Sequence, residues 1–117
     1  MTEPDRAHRV RRAWEGDRAA FDELFKAFAD RVQAFIRSRI RPGFKARLDP
    51  EEILQDTFVR AFQSIGSFRG ADSEQFRRWL MGVAAKTVLR AEEAGRRHQT
   101  LEIGDNIAAK DVTPSKA

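Results

Sequence analysis

Cysteine is absent from the 117 residues, which excludes a disulfide scaffold, Cys-ligated zinc and thiol catalysis. Histidine is scarce. His8 and His98 lie near opposite edges of the patterned sequence, and neither stands at metal-ligand spacing from a partner. No apolar run approaches the ~18–20 residues a membrane span needs, and the N-terminus carries no signal-peptide apolar stretch. Neither a P-loop nor a Gly-rich dinucleotide fingerprint occurs. These absences leave no enzymatic constellation and no cofactor site. The expectation is a soluble, cytoplasmic protein that binds rather than catalyses.

Sustained period-two alternation is missing too, whereas almost every long segment repeats its apolar residues every 3.6 positions. The predicted class is all-α: a compact bundle of three long helices plus a short N-terminal one, with a flexible C-terminal tail. The short helix covers about 5–15 and carries Ala7, Val10, Ala13 and Trp14. Gly16 breaks it, and Asp17 caps a second helix reaching about 41, with Phe21, Leu24, Phe25, Phe28, Val32, Phe35, Ile36 and Ile40 as its core stripe. Pro42-Gly43 ends that helix.

Asp49-Pro50-Glu51-Glu52 is a strong helix start, with Asp49 as cap, Pro50 at the first helical position and Glu52 completing a capping box. The third helix runs to about 64 and is predicted to bury Leu54, Phe58, Ala61, Phe62 and Ile65. Asp72 and Gln75 form a second cap-like pair. They open a fourth helix whose inner stripe is Phe76, Trp79, Leu80, Val83, Ala84 and Val88, and which stops near Ala94 with Gly95 as its terminal residue. Residues 1–97 thus read as one domain and 98–117 as a linker or tail.

The charge is sorted along this framework. The chain holds 22 Lys+Arg against 18 Asp+Glu, a net +4. Residues 1–48 carry 12 basic and 7 acidic side chains; 49–65 carry Asp49, Glu51, Glu52 and Asp56 against Arg60 alone; 66–97 carry 7 basic and 4 acidic. An acidic helix between two basic stretches suits two partners of opposite charge, although charged faces also simply keep helices in water. Arg outnumbers Lys 17 to 5, which favours bidentate phosphate contacts and stacking on bases.

One stretch interleaves aromatics and cations: Phe68-Arg69-Gly70, then Phe76-Arg77-Arg78-Trp79. That combination can cradle unstacked bases and neutralise a backbone, even with Phe76 and Trp79 mainly in the core. Lys86 and Arg90 lie one turn apart on the fourth helix, with Arg96 and Arg97 beyond, so a basic face can follow phosphates.

Four motifs in order carry a family resemblance: Gly16-Asp17-x-x-Ala20-Phe21-x-x-Leu24-Phe25; Asp49-x-Glu51-Glu52-x-Leu54-Gln55-Asp56-x-Phe58-x-x-Ala61-Phe62; Phe68-Arg69; and Phe76-Arg77-x-Trp79-Leu80-x-x-Val83-Ala84. Together they resemble region 2 of bacterial sigma-70-type RNA polymerase sigma factors, most closely the extracytoplasmic-function group. The resemblance implies docking on the clamp helices of the polymerase β′ subunit through Asp49, Glu52, Leu54, Gln55 and Asp56. It also implies recognition and melting of the promoter −10 element, with the non-template strand held single. For that it assigns the 67–74 loop, with Phe68 and Arg69, then Arg77, Arg78 and Trp79, with Lys86 and Arg90 on the face near the −10 duplex. An anti-sigma protein is a further implied partner; a membrane is not.

Where the family commonly has Asn, this chain has Lys86, a point charge in place of an amide. The family's second, −35-reading helix-turn-helix domain has no counterpart after Arg97, and the favoured expectation is that the chain is one domain of a longer protein, a naturally short sigma-like regulator being the other. A different class of function also fits the pattern: a helical interaction module that sequesters a regulator without opening DNA.

Overall fold

A computed structural model describes the backbone of residues 2–109 and the side chains through residue 98. Four helices follow in order: α1 (Glu3–Trp14), α2 (Arg18–Arg39), α3 (Pro50–Gln63) and α4 (Ser73–Ala109), with single 3₁₀ turns at Pro42–Phe44 and Ile65–Ser67. No strand occurs among the described residues.

The boundaries follow from capping chemistry. Gly16 has φ of 100°, a left-handed conformation that other residues adopt only with strain, and it turns the chain between α1 and α2. Asp17 then accepts the Ala20 N–H at 3.2 Å. At α3, Asp49 accepts from the Glu51 N–H at 2.9 Å behind Pro50. The predicted capping box does not close there. Because Asp49 bonds one residue earlier, Glu52 stays exposed on the outer face. At α4 the reciprocal pair does form: the Gln75 N–H donates to Asp72 at 2.8 Å, and the Gln75 amide oxygen accepts from the N–H groups of Ala71 (2.7 Å) and Asp72 (3.3 Å).

The core centres on Phe21, fully buried, whose ring lies 5.3 Å from those of Phe58 and Phe62 and 5.9 Å from Phe76. Burying such a ring contributes about 1.5–3 kcal/mol, and each favourable ring pair adds about 0.5–1.5 kcal/mol. Phe76 continues the chain of rings to Phe68 and Trp79, each 5.7 Å away. The same packing that holds α2 and α3 together therefore ends at the loop before α4.

Two expectations shift. In α3 the deepest positions are Ile53, Thr57 and Ala61, while Leu54, Phe58 and Phe62 are half-buried. The stripe is turned by one residue because Thr57 satisfies its hydroxyl on the Ile53 carbonyl at 2.7 Å, and because the Arg18 guanidinium lies over the outer faces of Phe58 (5.8 Å) and Phe62 (5.3 Å). Trp14, one of the apolar residues of the short first helix, is 48% exposed where most such residues pack inward. Finally, α4 does not stop at Ala94 but continues through residues 98–109, which had read as tail. Gly95 is a packing position there: a Cβ on it would lie 3.6 Å from the Phe44 ring and 3.9 Å from Leu48. A glycine inside a helix costs only about 1 kcal/mol, too little to end one without a proline. Residues 110–117 of the expected tail lie outside the described residues.

Candidate docking face and nucleic-acid cleft

The outer face of α3 is built by helical spacing. Glu52, Gln55, Asp56 and Val59 stand at i, i+3, i+4 and i+7 and are all exposed, with Asp49 one turn earlier at the cap. Glu51 and Glu52 in the first turn also oppose the positive end of the helix dipole, so the acidic character stabilises the helix that displays it. Val59, 47% exposed, was not among the predicted residues, although its spacing from Glu52 points to it. Leu54 is turned toward the core and belongs to the scaffold behind this face.

Past α3 the chain makes a tight loop. The Arg69 guanidinium donates to the carbonyls of Gly66 (2.7 Å) and Phe68 (3.0 Å), which locks the loop's curvature. The Phe68 ring is only 2% exposed, closed between Phe76 and Trp79. It shapes the loop from beneath and is no surface for a base to stack on in this conformation.

Beside the loop, a cleft of about 360 Å³ runs between the end of α3 and the middle of α4. Trp79, Val83, Lys86 and Arg90 line it from α4, at one-face spacing; Arg60 and Gln63 line it from α3, and Ser64 and Ser67 from the loop. Arg60 is a cation that charge counting hid inside the acidic segment. It is ion-paired at 3.0 Å with Asp56, so the acidic face and the cleft meet at one salt bridge.

The remaining predicted cations sit elsewhere. Arg77 is held by Glu74, whose carboxyl its hydrogen bond keeps below the usual carboxylate range; Arg78 is mostly exposed, 3.6 Å from the same carboxylate. The Arg96 guanidinium lies 6.0 Å over the Phe44 ring, and Arg97 pairs with Glu93 at 3.7 Å. The structure thus unites Trp79, Lys86 and Arg90, adds Arg60, and leaves Arg96 and Arg97 further along α4, outside the cleft. Among the described residues no three His, Asp or Glu side chains are grouped to hold a metal ion, and no helix is long and apolar enough to cross a membrane.

An acidic helix face beside a basic, aromatic-lined cleft is the feature that distinguishes this all-α domain. The chain belongs to the sigma-70 region 2 family, whose profile matches residues 24–98. It is 33% identical over 78 residues to the ECF RNA polymerase sigma-E factor of Haemophilus influenzae, covering 67% of this chain and 38% of that one. Over 108 residues it is 32% identical to the ECF RNA polymerase sigma factor BldN of Streptomyces coelicolor, covering 91% of this chain and 38% of the relative. With the RNA polymerase sigma factor CarQ of Myxococcus xanthus it shares 35% identity over 85 residues, 73% of this chain and 43% of the other. The chain therefore spans about two fifths of the length of these relatives.

Proposed function

We propose that this chain is a transcription-initiation domain, a binding factor without catalytic activity. It docks on RNA polymerase core at the β′ clamp helices and recognises and melts the promoter −10 element. The observation that carries the reading is the juxtaposition of the acidic face Glu52–Gln55–Asp56 with the cleft of Trp79, Lys86 and Arg90, on the two sides of the Asp56–Arg60 pair. Complementary charge orients two such partners and suppresses their exchange.

Melting requires that a base leave the stack, at a cost of a few kcal/mol. Stacking on aromatic groups returns about 1–3 kcal/mol per base, and phosphate neutralisation supplies the rest. The cleft offers the half-buried Trp79 for the first, and Arg60, Lys86 and Arg90 for the second. Arg69 and Arg78, exposed at the loop and the second turn of α4, extend the cationic track. With Lys86 where relatives of this family commonly carry Asn, that point contacts a phosphate in place of a base edge.

Docking is tested by reversing Glu52 and Asp56 to Lys together. Neither side chain is buried, so the fold survives the loss of the helix-dipole and Asp56–Arg60 terms with a melting temperature lower by roughly 5–10 °C, while affinity for core polymerase, or for its isolated clamp helices, falls at least tenfold. Unchanged affinity in a folded variant refutes the docking assignment.

A further inference from the structure

A second groove lies on the other side of the same loop, and nothing in the reading above uses it. It is about 430 Å³, walled by Ala7, Gly70 and Ala71, with Trp14, Arg11 and His8 on its α1 side. Trp14 is the one exposed ring among the Phe and Trp side chains of the described residues. Ordinary packing does not account for it: α1 buries Val10 and Ala13 completely while Trp14 turns outward, although its spacing suits the core.

The groove is also held open by fixed walls. Glu3, at the start of α1, accepts hydrogen bonds from both the N–H (3.1 Å) and the hydroxyl of buried Ser73, and so ties α1 to the first residue of α4. One cation stands on the rim: the Arg11 side chain is 80% exposed, with only a loose 4.0 Å approach to Glu15, whereas Arg9 and Arg12 are paired with Glu23 and Asp17 away from the groove.

The two grooves share the loop. Ser67 lines the first, and Gly70 with Ala71 lines the second. Three residues of chain span at most about 10 Å, the length of roughly three stacked nucleotides. We propose that the Trp14 groove is a second nucleobase site, in which a base of the same single DNA strand stacks on Trp14 after crossing the loop, with Arg11 against its phosphate. This rests on the strand-binding reading of the Trp79 cleft. It extends the bound strand by a few nucleotides and makes α1 part of the DNA surface.

The test compares two single-stranded DNA oligonucleotides on the 117-residue chain: a short one filling the Trp79 cleft, and the same one lengthened by four nucleotides at either end. Lengthening at one end tightens binding about tenfold in the native chain, as one aromatic stack provides. Trp14→Ala removes that gain and leaves short-strand affinity unchanged, while Trp14→Phe keeps most of it. In a Trp79→Phe background the sole remaining tryptophan emission, that of Trp14, is quenched by the long strand only. The inference is overturned if Trp14→Ala, folded by circular dichroism, gains as much as the native chain. It is equally overturned if Trp14→Ala instead abolishes self-association seen by sedimentation, which would make the groove a protein contact. Failure of the native chain to bind even the short strand, free or on core polymerase, removes the parent reading and this one with it; short-strand binding without the Trp14 effect removes this one alone.

Discussion

Glu92 illustrates how one buried charge sets the positions of several others. It is 1% exposed yet accepts three bonds from Arg41: the backbone N–H at 2.8 Å, Nη2 at 3.0 Å and Nε at 3.1 Å. Burial alone would push its carboxyl pKa up, but these Arg41 donors, with Arg96 nearby, outweigh it and hold the group below the usual range. The link pins the chain after α2 to α4, and so brings Phe44 under the Arg41 and Arg96 guanidinium groups. Since the folded pKa is depressed, its stabilisation is fully present above the ordinary carboxylate range and is lost as pH falls through the folded value. Glu92→Gln keeps the shape and removes the charge. Because the Arg41 side chain is 57% exposed and can turn to water, the expected loss is about 1–3 kcal/mol, less than for a pair buried at both ends. Urea denaturation at pH 7 and near pH 4 checks it: the variant is weaker at pH 7, and its difference from the native chain narrows at the lower pH. A constant difference would contradict the ionised state of Glu92.

At the scale of elements, the α2 stripe and the caps at Asp17, Asp49 and Asp72 were legible in the sequence, because spacing and capping are local properties. What was not legible depends on neighbours. Thr57 counts as polar in any pattern, and only the Ile53 carbonyl one turn back makes it a core residue. Arg60 belongs to an acidic segment by count and to a basic cleft by geometry. Phe68 lies beside Arg69 in a stretch that suits strand binding, but tertiary packing against Phe76 closes its ring inside. The loop that holds Phe68 turns on Gly70, where the constraint is space: a Cβ would stand 2.7 Å from the tip of the Phe68 ring and 3.0 Å from the Gln75 Cβ. Gly70→Ala must therefore displace the ring or lift the loop off its cap. Overpacking of this kind costs about 1–3 kcal/mol, a fall in melting temperature of roughly 4–8 °C per kcal/mol for a domain this size. Gly66→Ala, four residues earlier, meets nothing within 4 Å and should change stability by less than about 0.5 kcal/mol. Equal effects of the two substitutions would show that Phe68 is not held as described.

Across the whole molecule, the question is whether the two charged faces act on each other or only side by side. Their one direct link is the Asp56–Arg60 pair, a half-exposed i, i+4 bridge. Such pairs are worth about 0.3–0.5 kcal/mol, so a partner that draws Asp56 away frees Arg60 with an effect on strand affinity of at most about twofold. The faces are therefore nearly independent in energy, and the strand face can be tested by itself through its dependence on salt. Binding of a single strand weakens with a slope of about −0.7 in log K against log salt for each phosphate neutralised. Arg60, Lys86 and Arg90 in the cleft predict a slope near −2 for the short strand. Lys86→Ala or Arg90→Ala should each make that slope shallower by about 0.7. Arg97→Ala should leave it unchanged, since that side chain is paired with Glu93 beyond the cleft. If Arg97→Ala shifts the slope as much as Lys86→Ala does, the strand follows the length of α4, and the cleft is not what confines it.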